Sequence, residues 1–546
     1  MRFLNNGKKI LAMLLAMVMV FGMITCGTHA NAEAAEGRTL RVGVLSTNDI
    51  FNVLTSSGAF GTMMFSGFTR APLVTKGADG NPSPYFMQTW EFAEDGMSLT
   101  FTFPSGVQFH DGTDVTPADV KFTIDYYSQY VKYSGLVGLV TGCELIDDNT
   151  AVMYFSEPCG AGFLKAIMDY VFIIPQHVWE NVDGAEFKKY AGEDAAIGCG
   201  PYKLVDVDAD AQISYYEAMP NYFYGEITVP KVSLHTYNDM DAVLMAMQND
   251  EIDVYYQYST PMPASMAPAI LNADNLVSGQ SKVSDTYQIS FGANKYPTND
   301  VEFRKAVAYI VDWEMMASVI AGDYAEVGTW GAVPPSHAAY LEESPKLTRD
   351  LVKADEILTA AGYVDVDGDG IREDSKGEPL EIIVMPQYAS STIELRVRLC
   401  EVLVNNLQEA GFAARIEERS LANNEYSWPL MQSGEHDLIV SYTTSGKADY
   451  ETAFYYFLGT YATSVGHFFF PEMDEQVVKL LGAVTEEEYL EAVEELQRLN
   501  ETYVVGLPLA YTQAFFPYST AHFDGWEFRE TIGVIHSNTW FTVHEK

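Results

Sequence analysis

The densest run of chemistry-bearing side chains in this chain is Asp365-Val366-Asp367-Gly368-Asp369-Gly370. It offers carboxylates at the first, third and fifth positions, and glycine at the sixth, of a calcium loop. The twelfth position, where a bidentate Glu completes such a loop, is Lys376. An Asp/Gly-rich turn also links two elements without any ion. The turn is the expected reading; Asp365, Asp367 and Asp369 are the metal candidates, and no cofactor is expected. Nucleophilic chemistry has less footing. There is no G-x-S-x-G elbow, no H-E-x-x-H helix and no glycine-rich loop ending in Lys-Ser/Thr, and the ten histidines are scattered. The sequence argues against a secreted hydrolase, and no catalytic residue is assigned.

Composition narrows the partners. Lys and Arg total 32 against 75 Asp and Glu, a formal charge of −43 that repels nucleic acid and anionic lipid alike. The chain has 546 residues, 48% of them hydrophobic, which is material for two or three lobes rather than one core. At the start, Arg2, Lys8 and Lys9 precede the apolar run Ile10 to Ile24, the pattern of a signal peptide over residues 1–26. The run ends in Met23-Ile24-Thr25-Cys26-Gly27, which resembles a bacterial lipoprotein box; an acylated Cys26 would tether the protein to the outer face of the cell membrane. Cleavage after Ala30-Asn31-Ala32, at residue 32, would instead release it as a periplasmic or secreted protein. Cys143, Cys159, Cys199 and Cys400 are too few for a disulfide scaffold, although an oxidising location permits Cys143 to pair with Cys159.

Several elements are legible. Leu40 to Val44 reads as a first strand, and Ser98 to Phe103 as a half-buried one with Leu99, Phe101 and Phe103 on one face. Thr116-Pro117-Ala118-Asp119 starts a helix with a capping box, and Thr485 with Glu488 starts another whose stripe is Tyr489, Val493 and Leu496. Val232 to Tyr237, Asp239 to Asn249 and Ile252 to Tyr256 form a strand-helix-strand unit that requires a parallel sheet. A second set follows: strand Leu380 to Met385, helix Thr392 to Ala410, and strands Ala413 to Glu417 and Asp437 to Ser441. Between the sets, Glu302 to Ile320 is expected as one helix with Phe303, Ala306, Val307 and Ile310 on its buried face.

These turns and caps occur in a recognisable order. Gly80-Asn81-Pro82-Ser83-Pro84, Trp90 to Gly96, Phe109-His110-Asp111-Gly112-Thr113 and Val115 to Phe122 make the first blocks. Gly198-Cys199-Gly200-Pro201-Tyr202, Asn221 to Gly225, Phe303 to Val307 and Ala360-Ala361-Gly362-Tyr363 follow. In that order and spacing the chain resembles family 5 of the bacterial extracellular solute-binding proteins, the oligopeptide, dipeptide and nickel receptors of ABC importers. Phe103-Pro104-Ser105 departs from the Leu-Arg usual there.

The resemblance implies an α/β fold of the periplasmic-binding-protein type: two lobes joined by a hinge, with a small α/β domain inserted in the first. The expected boundaries are 38–84, 200–290 and 515–546 for lobe I, 85–199 for the inserted domain and 291–514 for lobe II. Asp111, Gly112, Thr116 and Gly200 are expected in turns and caps, and His110 as a structural histidine. Lys447-Ala448-Asp449-Tyr450 looks like the family's Ala-Asp-Tyr segment, which makes Asp449 the expected anchor for a peptide's amine, with Tyr450 beside it. The usual proline after that motif is replaced by Glu451-Thr452. Trp330 is a candidate wall residue. The implied function is a monomeric, non-enzymatic receptor that binds di- to oligopeptides and delivers them to an ABC permease. A nickel chelate, an opine or an oligosaccharide is the alternative ligand.

Overall fold

The computed structural model describes residues 37–45, 51–55, 63, 66–131, 135–257, 261–281, 285–335, 337–374, 376–388, 392–423, 425–443, 458, 466–483, 485–529 and 532–546. The expected signal segment, Cys26, Asp449 and Tyr450 lie outside these residues.

The first strand, β1 (Thr39–Leu45), buries Leu40, Val42 and Val44 completely. The chain then builds a small domain from β2 (Thr89–Phe92), β3 (Ser98–Thr102), α1 (Pro117–Tyr126), β4 (Val140–Leu145), β5 (Thr150–Phe155) and α2 (Ala161–Ile167). Its strands make one antiparallel sheet in the order β2-β3-β5-β4. Leu99 and Phe101 face its core as their alternation requires. At the head of α1, the Asp119 carboxylate accepts the backbone N–H of Thr116 at 2.8 Å and its hydroxyl at 2.6 Å, so the helix starts where the capping box places it.

The way back to β1 runs through the Gly198 to Tyr202 block. A Cβ on Gly198 would lie 2.1 Å from the Thr69 carbonyl oxygen, and one on Gly200 2.3 Å from the Thr69 carbonyl carbon, so only glycine admits this approach. His110 bridges the joint: its Nε2 lies 3.1 Å from Gly200 O, and its Nδ1 accepts the Gly198 N–H at 3.3 Å. Both ring nitrogens are thereby occupied within the protein, as a structural histidine requires.

Next come β6 (Tyr202–Asp208), β7 (Ile213–Ala218), β8 (Lys231–Tyr237), α3 (Met240–Gln248), β9 (Val254–Tyr255) and β10 (Leu276–Gln280). The chain then supplies β11 (Asp285–Phe291), α4 (Val301–Ile310), α5 (Trp313–Ala321), β12 (Ala325–Glu326), α6 (Leu351–Ala360), β13 (Glu381–Pro386), α7 (Ile393–Glu409), β14 (Ala413–Ile416), β15 (Leu438–Thr443), α8 (Pro471–Gly482), α9 (Glu486–Tyr503), β16 (Gly506–Thr512) and β17 (Phe515–Ser519). Two large sheets result, one ordered β10-β17-β9-β1-β8-β7-β6 and the other β12-β16-β11-β15-β13-β14. In the first, β1 runs parallel to β8 and β9, sitting between the two strands of the expected strand-helix-strand unit. In the second, β13 runs parallel to both β14 and β15.

Two sequence expectations need correction, and a cysteine pairing that the sequence left open is resolved. The helix expected over 302–320 is two helices: Val311 turns extended at ψ 135°, and Asp312 caps α5 by accepting the Met315 N–H at 3.0 Å. Strand β11, placed with the first lobe by the 290 boundary, pairs with β15 and β16 of the second sheet. Cys143 and Cys159 are both free, buried thiols. Cys143 lies on β4 opposite Met153, while the backbone N–H of Cys159 bonds to Gly96 O, and burial pushes both thiol pKa values up to about 12.

Candidate functional site

Among the described residues, the chain crosses between the two large sheets twice, from β10 to β11 and from β16 to β17. Side-by-side bonds tie the crossings together. Ser281 N–H donates to Ala514 O at 3.0 Å, Ala514 N–H to Ser281 Oγ at 2.8 Å, and Gln280 Nε2 to Gln513 Oε1 at 2.7 Å. Ser281 is buried, so this polar pairing replaces water at the joint.

Register decides which edge of each sheet the crossings occupy. Strand β17 runs antiparallel to β9, with Tyr518 opposite Val254, so its first residue lies at the carboxyl end of the parallel trio β8, β1 and β9. Strand β11 runs antiparallel to β15, with Thr286 opposite Thr443, so its first residue lies at the carboxyl end of the trio β14, β13 and β15. The carboxyl edges of both parallel sets therefore meet at the joint. In open α/β sheets this edge is where ligands bind.

Arg396 stands on that edge. It lies in the first turn of α7 and is buried, with Nη1 donating to Gln387 O at 2.5 Å. Gln387 directly follows β13 and is held by its own N–H on Val440 O at 2.9 Å. Sequence reasoning did not single out Arg396. The available signal was a cation in a helix's first turn, where the helix dipole disfavours positive charge and a nearby anion is the usual remedy. On the first sheet, Gln257 Oε1 accepts the Leu45 N–H at 3.1 Å and fastens the ends of β1 and β9.

The model for bacterial extracellular solute-binding proteins, family 5 middle region, matches residues 81–464. The chain belongs to this family. Across 68% of its length, this family 5 solute-binding protein is 22% identical to the dipeptide-binding protein of Escherichia coli strain K12, covering 69% of that protein. Its fold is that of the oligopeptide-binding protein AppA of Bacillus subtilis in complex with a nonapeptide, with TM-score 0.74, 18% identity, and 94% and 99% of the two chains covered. It matches NikZ of Campylobacter jejuni in complex with Ni(L-His) as well, with TM-score 0.73, 19% identity, and 93% and 99% covered. The two-lobed solute-binding fold is thus the fold of this chain. Among the described residues, no helix is long and apolar enough to cross a membrane.

The other expected site residues of this solute-binding protein fall in different places. Trp330 is buried in the second lobe, its ring centroid 5.4 Å from that of Tyr309 on α4 and its carbonyl accepting Asn500 Nδ2 at 2.7 Å. Asp365, Asp367 and Asp369 sit between α6 and β13, away from the crossings in the chain. Asp365 accepts the N–H groups of Gly368 and Gly370 at 2.7 and 2.9 Å, and Asp369 accepts that of Ile371 at 2.7 Å. Glu373, which is buried, joins the group by accepting the Val366 N–H at 2.7 Å. These carboxylates hold their own turn, and Asp365, Asp367, Asp369 and Glu373 each also offer an oxygen within 4.8 Å of the others, a grouping that could hold a metal ion.

Burial also tunes a loop of the second lobe. His337 is pushed down to about 4 by burial, and then by the positive charges of Lys165 in the small domain and Lys76 in the first lobe.

Proposed function

We propose that this protein captures di- to oligopeptides between its two lobes and hands them to an ABC permease in the membrane. Lobe I comprises 38–84, 200–281 and 515–546, the inserted domain 85–199, and lobe II 285–512. The observation that carries the reading is the meeting of both carboxyl strand edges at the paired crossings, where a hinge motion opens and closes a cleft. Family membership and the fold shared with a nonapeptide complex support a peptide as the occupant.

In this reading Asp449, on the segment that leaves the carboxyl end of β15, holds the ligand's ammonium group, with Tyr450 beside it. Arg396 takes the ligand's carboxylate. Each is a charge-assisted hydrogen bond worth roughly 1.5–3 kcal/mol in a dry cleft. Side chains of the ligand meet wetter walls, which lets one site accept many sequences. Trp330 contributes to the wall only if the second lobe's packing exposes its ring on opening. Acylated Cys26 keeps the receptor at the outer face of the membrane, beside its permease, and the permease reads the closed form.

A metal chelate as ligand is the second reading, favoured by the shared fold with the nickel-histidine complex. Thermal-shift screening against di- to pentapeptide pools, Ni(II) with histidine, and simple sugars separates the two. A ligand at 100 times its Kd raises stability by about 2.7 kcal/mol. A shift with peptides that disappears in Asp449→Ala supports the peptide reading; a shift with nickel-histidine alone replaces it.

A further inference from the structure

The small domain and the second lobe touch away from the hinge. Lys165 on α2 reaches across to α9: its Nζ lies 2.8 Å from Glu486 Oε2 and 3.9 Å from the ring centroid of Tyr489. The lysine side chain is only 9% exposed, so its ammonium has given up most of its water for these two groups. Alongside, the Gly160 N–H donates to Leu481 O at 3.1 Å, joining the start of α2 to the last carbonyls of α8.

Two glycines record the same contact. A Cβ on Gly160 would lie 2.5 Å from Ala483 O, and one on Gly162 2.3 Å from Leu480 O. Gly162 lies in the first turn of a helix, where glycine is weaker than alanine, and the three atoms nearest to a Cβ there, Leu480 O, Leu480 C and Leu481 Cα, all belong to α8. The helix gives up intrinsic stability so that the second lobe's backbone can approach.

We propose that α2 and the α8–α9 pair form a latch, in which Lys165 grips Glu486 and Tyr489 over a glycine-lined seat and holds the lobes closed. Its consequence for ligand lifetime rests on the closure reading above: a captured ligand leaves only after the latch parts. The grip itself exists without ligand and is measurable without one.

The test places spin labels at Ile146→Cys in the small domain and Val478→Cys on α8, positions 60% and 45% exposed, in the full chain carrying Cys26→Ser. Cys143, Cys159, Cys199 and Cys400 are buried and stay unlabelled. Pulsed electron resonance then reads the ratio of short to long distances in ligand-free protein. Lys165→Met, Glu486→Gln and Gly162→Ala should each lower that ratio about fivefold. Glu486 is half exposed, so Glu486→Gln folds normally. Gly162→Ala, which favours the helix, should open the latch without lowering the small domain's stability. An unchanged ratio in all three variants, or only the long distance in the parent, overturns the latch. A di- to pentapeptide pool added to the parent should enrich the short distance; if it does not, the peptide reading fails while the variants still judge the latch.

Discussion

Thr286 stands directly opposite Thr443 across the antiparallel pair of β11 and β15. The start of the strand by which the chain enters the second sheet and the last residue of β15 are therefore on the same edge. With β17 making the equivalent arrangement in the first sheet, the carboxyl edges of both sheets lie at the paired crossings. In the proposed function, closing the hinge brings these two edges together and assembles the site from both lobes.

Arg396→Gln and Asp449→Ala should each weaken binding of a peptide with free termini about tenfold or more, the equivalent of one charge-assisted hydrogen bond. Blocking the peptide's carboxyl end as an amide should cost the parent as much as Arg396→Gln, and cost that variant nothing further. Isothermal titration with blocked and free peptides checks the pairing.

Ser281→Ala removes the acceptor for the buried Ala514 N–H. The expected cost is about 1–3 kcal/mol of stability, the usual penalty for a buried unpaired donor. Urea unfolding of the variant measures it.

Arg304 is buried beneath the end of α9, donating to Tyr503 O at 3.1 and 2.6 Å, Val504 O at 2.9 Å and Thr298 O at 2.9 Å. Burial lowers its pKa to about 10, so it stays charged at neutral pH and caps the helix's negative end. Arg304→Met keeps the volume and strands those carbonyls. A loss of roughly 3–5 kcal/mol is expected by denaturant titration.

Acid should destabilise the protein through its buried histidines. Burial pushes His110 and His436 down to about 4, and His536 down to about 3, from the ordinary 6.5. The unfolded chain takes up protons near pH 6.5 that the folded chain refuses until much lower pH. Stability contributed by these groups is therefore full above 6.5 and is lost as pH falls from there toward 3. A series of melting temperatures between pH 7.5 and pH 4 should decline steadily, with a shallower decline in His110→Gln.

If the Asp365 to Glu373 carboxylates serve only their own turn, calcium at millimolar concentration, or its removal by chelation, should leave the melting temperature unchanged, although their oxygens lie within 4.8 Å of one another. Asp365→Ala removes the acceptor for two N–H groups in an exposed loop and should cost about 1 kcal/mol. A rise in melting temperature with calcium would give these residues a metal role instead.

Local chemistry made much of this chain legible from its residues alone. Thr116 with Asp119, Thr485 with Glu488, the alternation at Leu99 and Phe101, and the strand-helix-strand unit from Val232 to Tyr256 all depend on neighbours a few residues away. So does the order of turns that carried the family. Tertiary structure decided what distant partners decide. Strand β11 could pair with either sheet by its own pattern, and only the competition for its edges put it beside β15. A short polar capping residue, Asp312, split a helix whose apolar spacing ran straight through, because Met315 N–H offered it a bond. Arg396 acquired meaning from the strand end it stands over, and Gly162 from a carbonyl more than three hundred positions along the chain. Periodicity records which face of an element is buried; it does not record what that face is buried against.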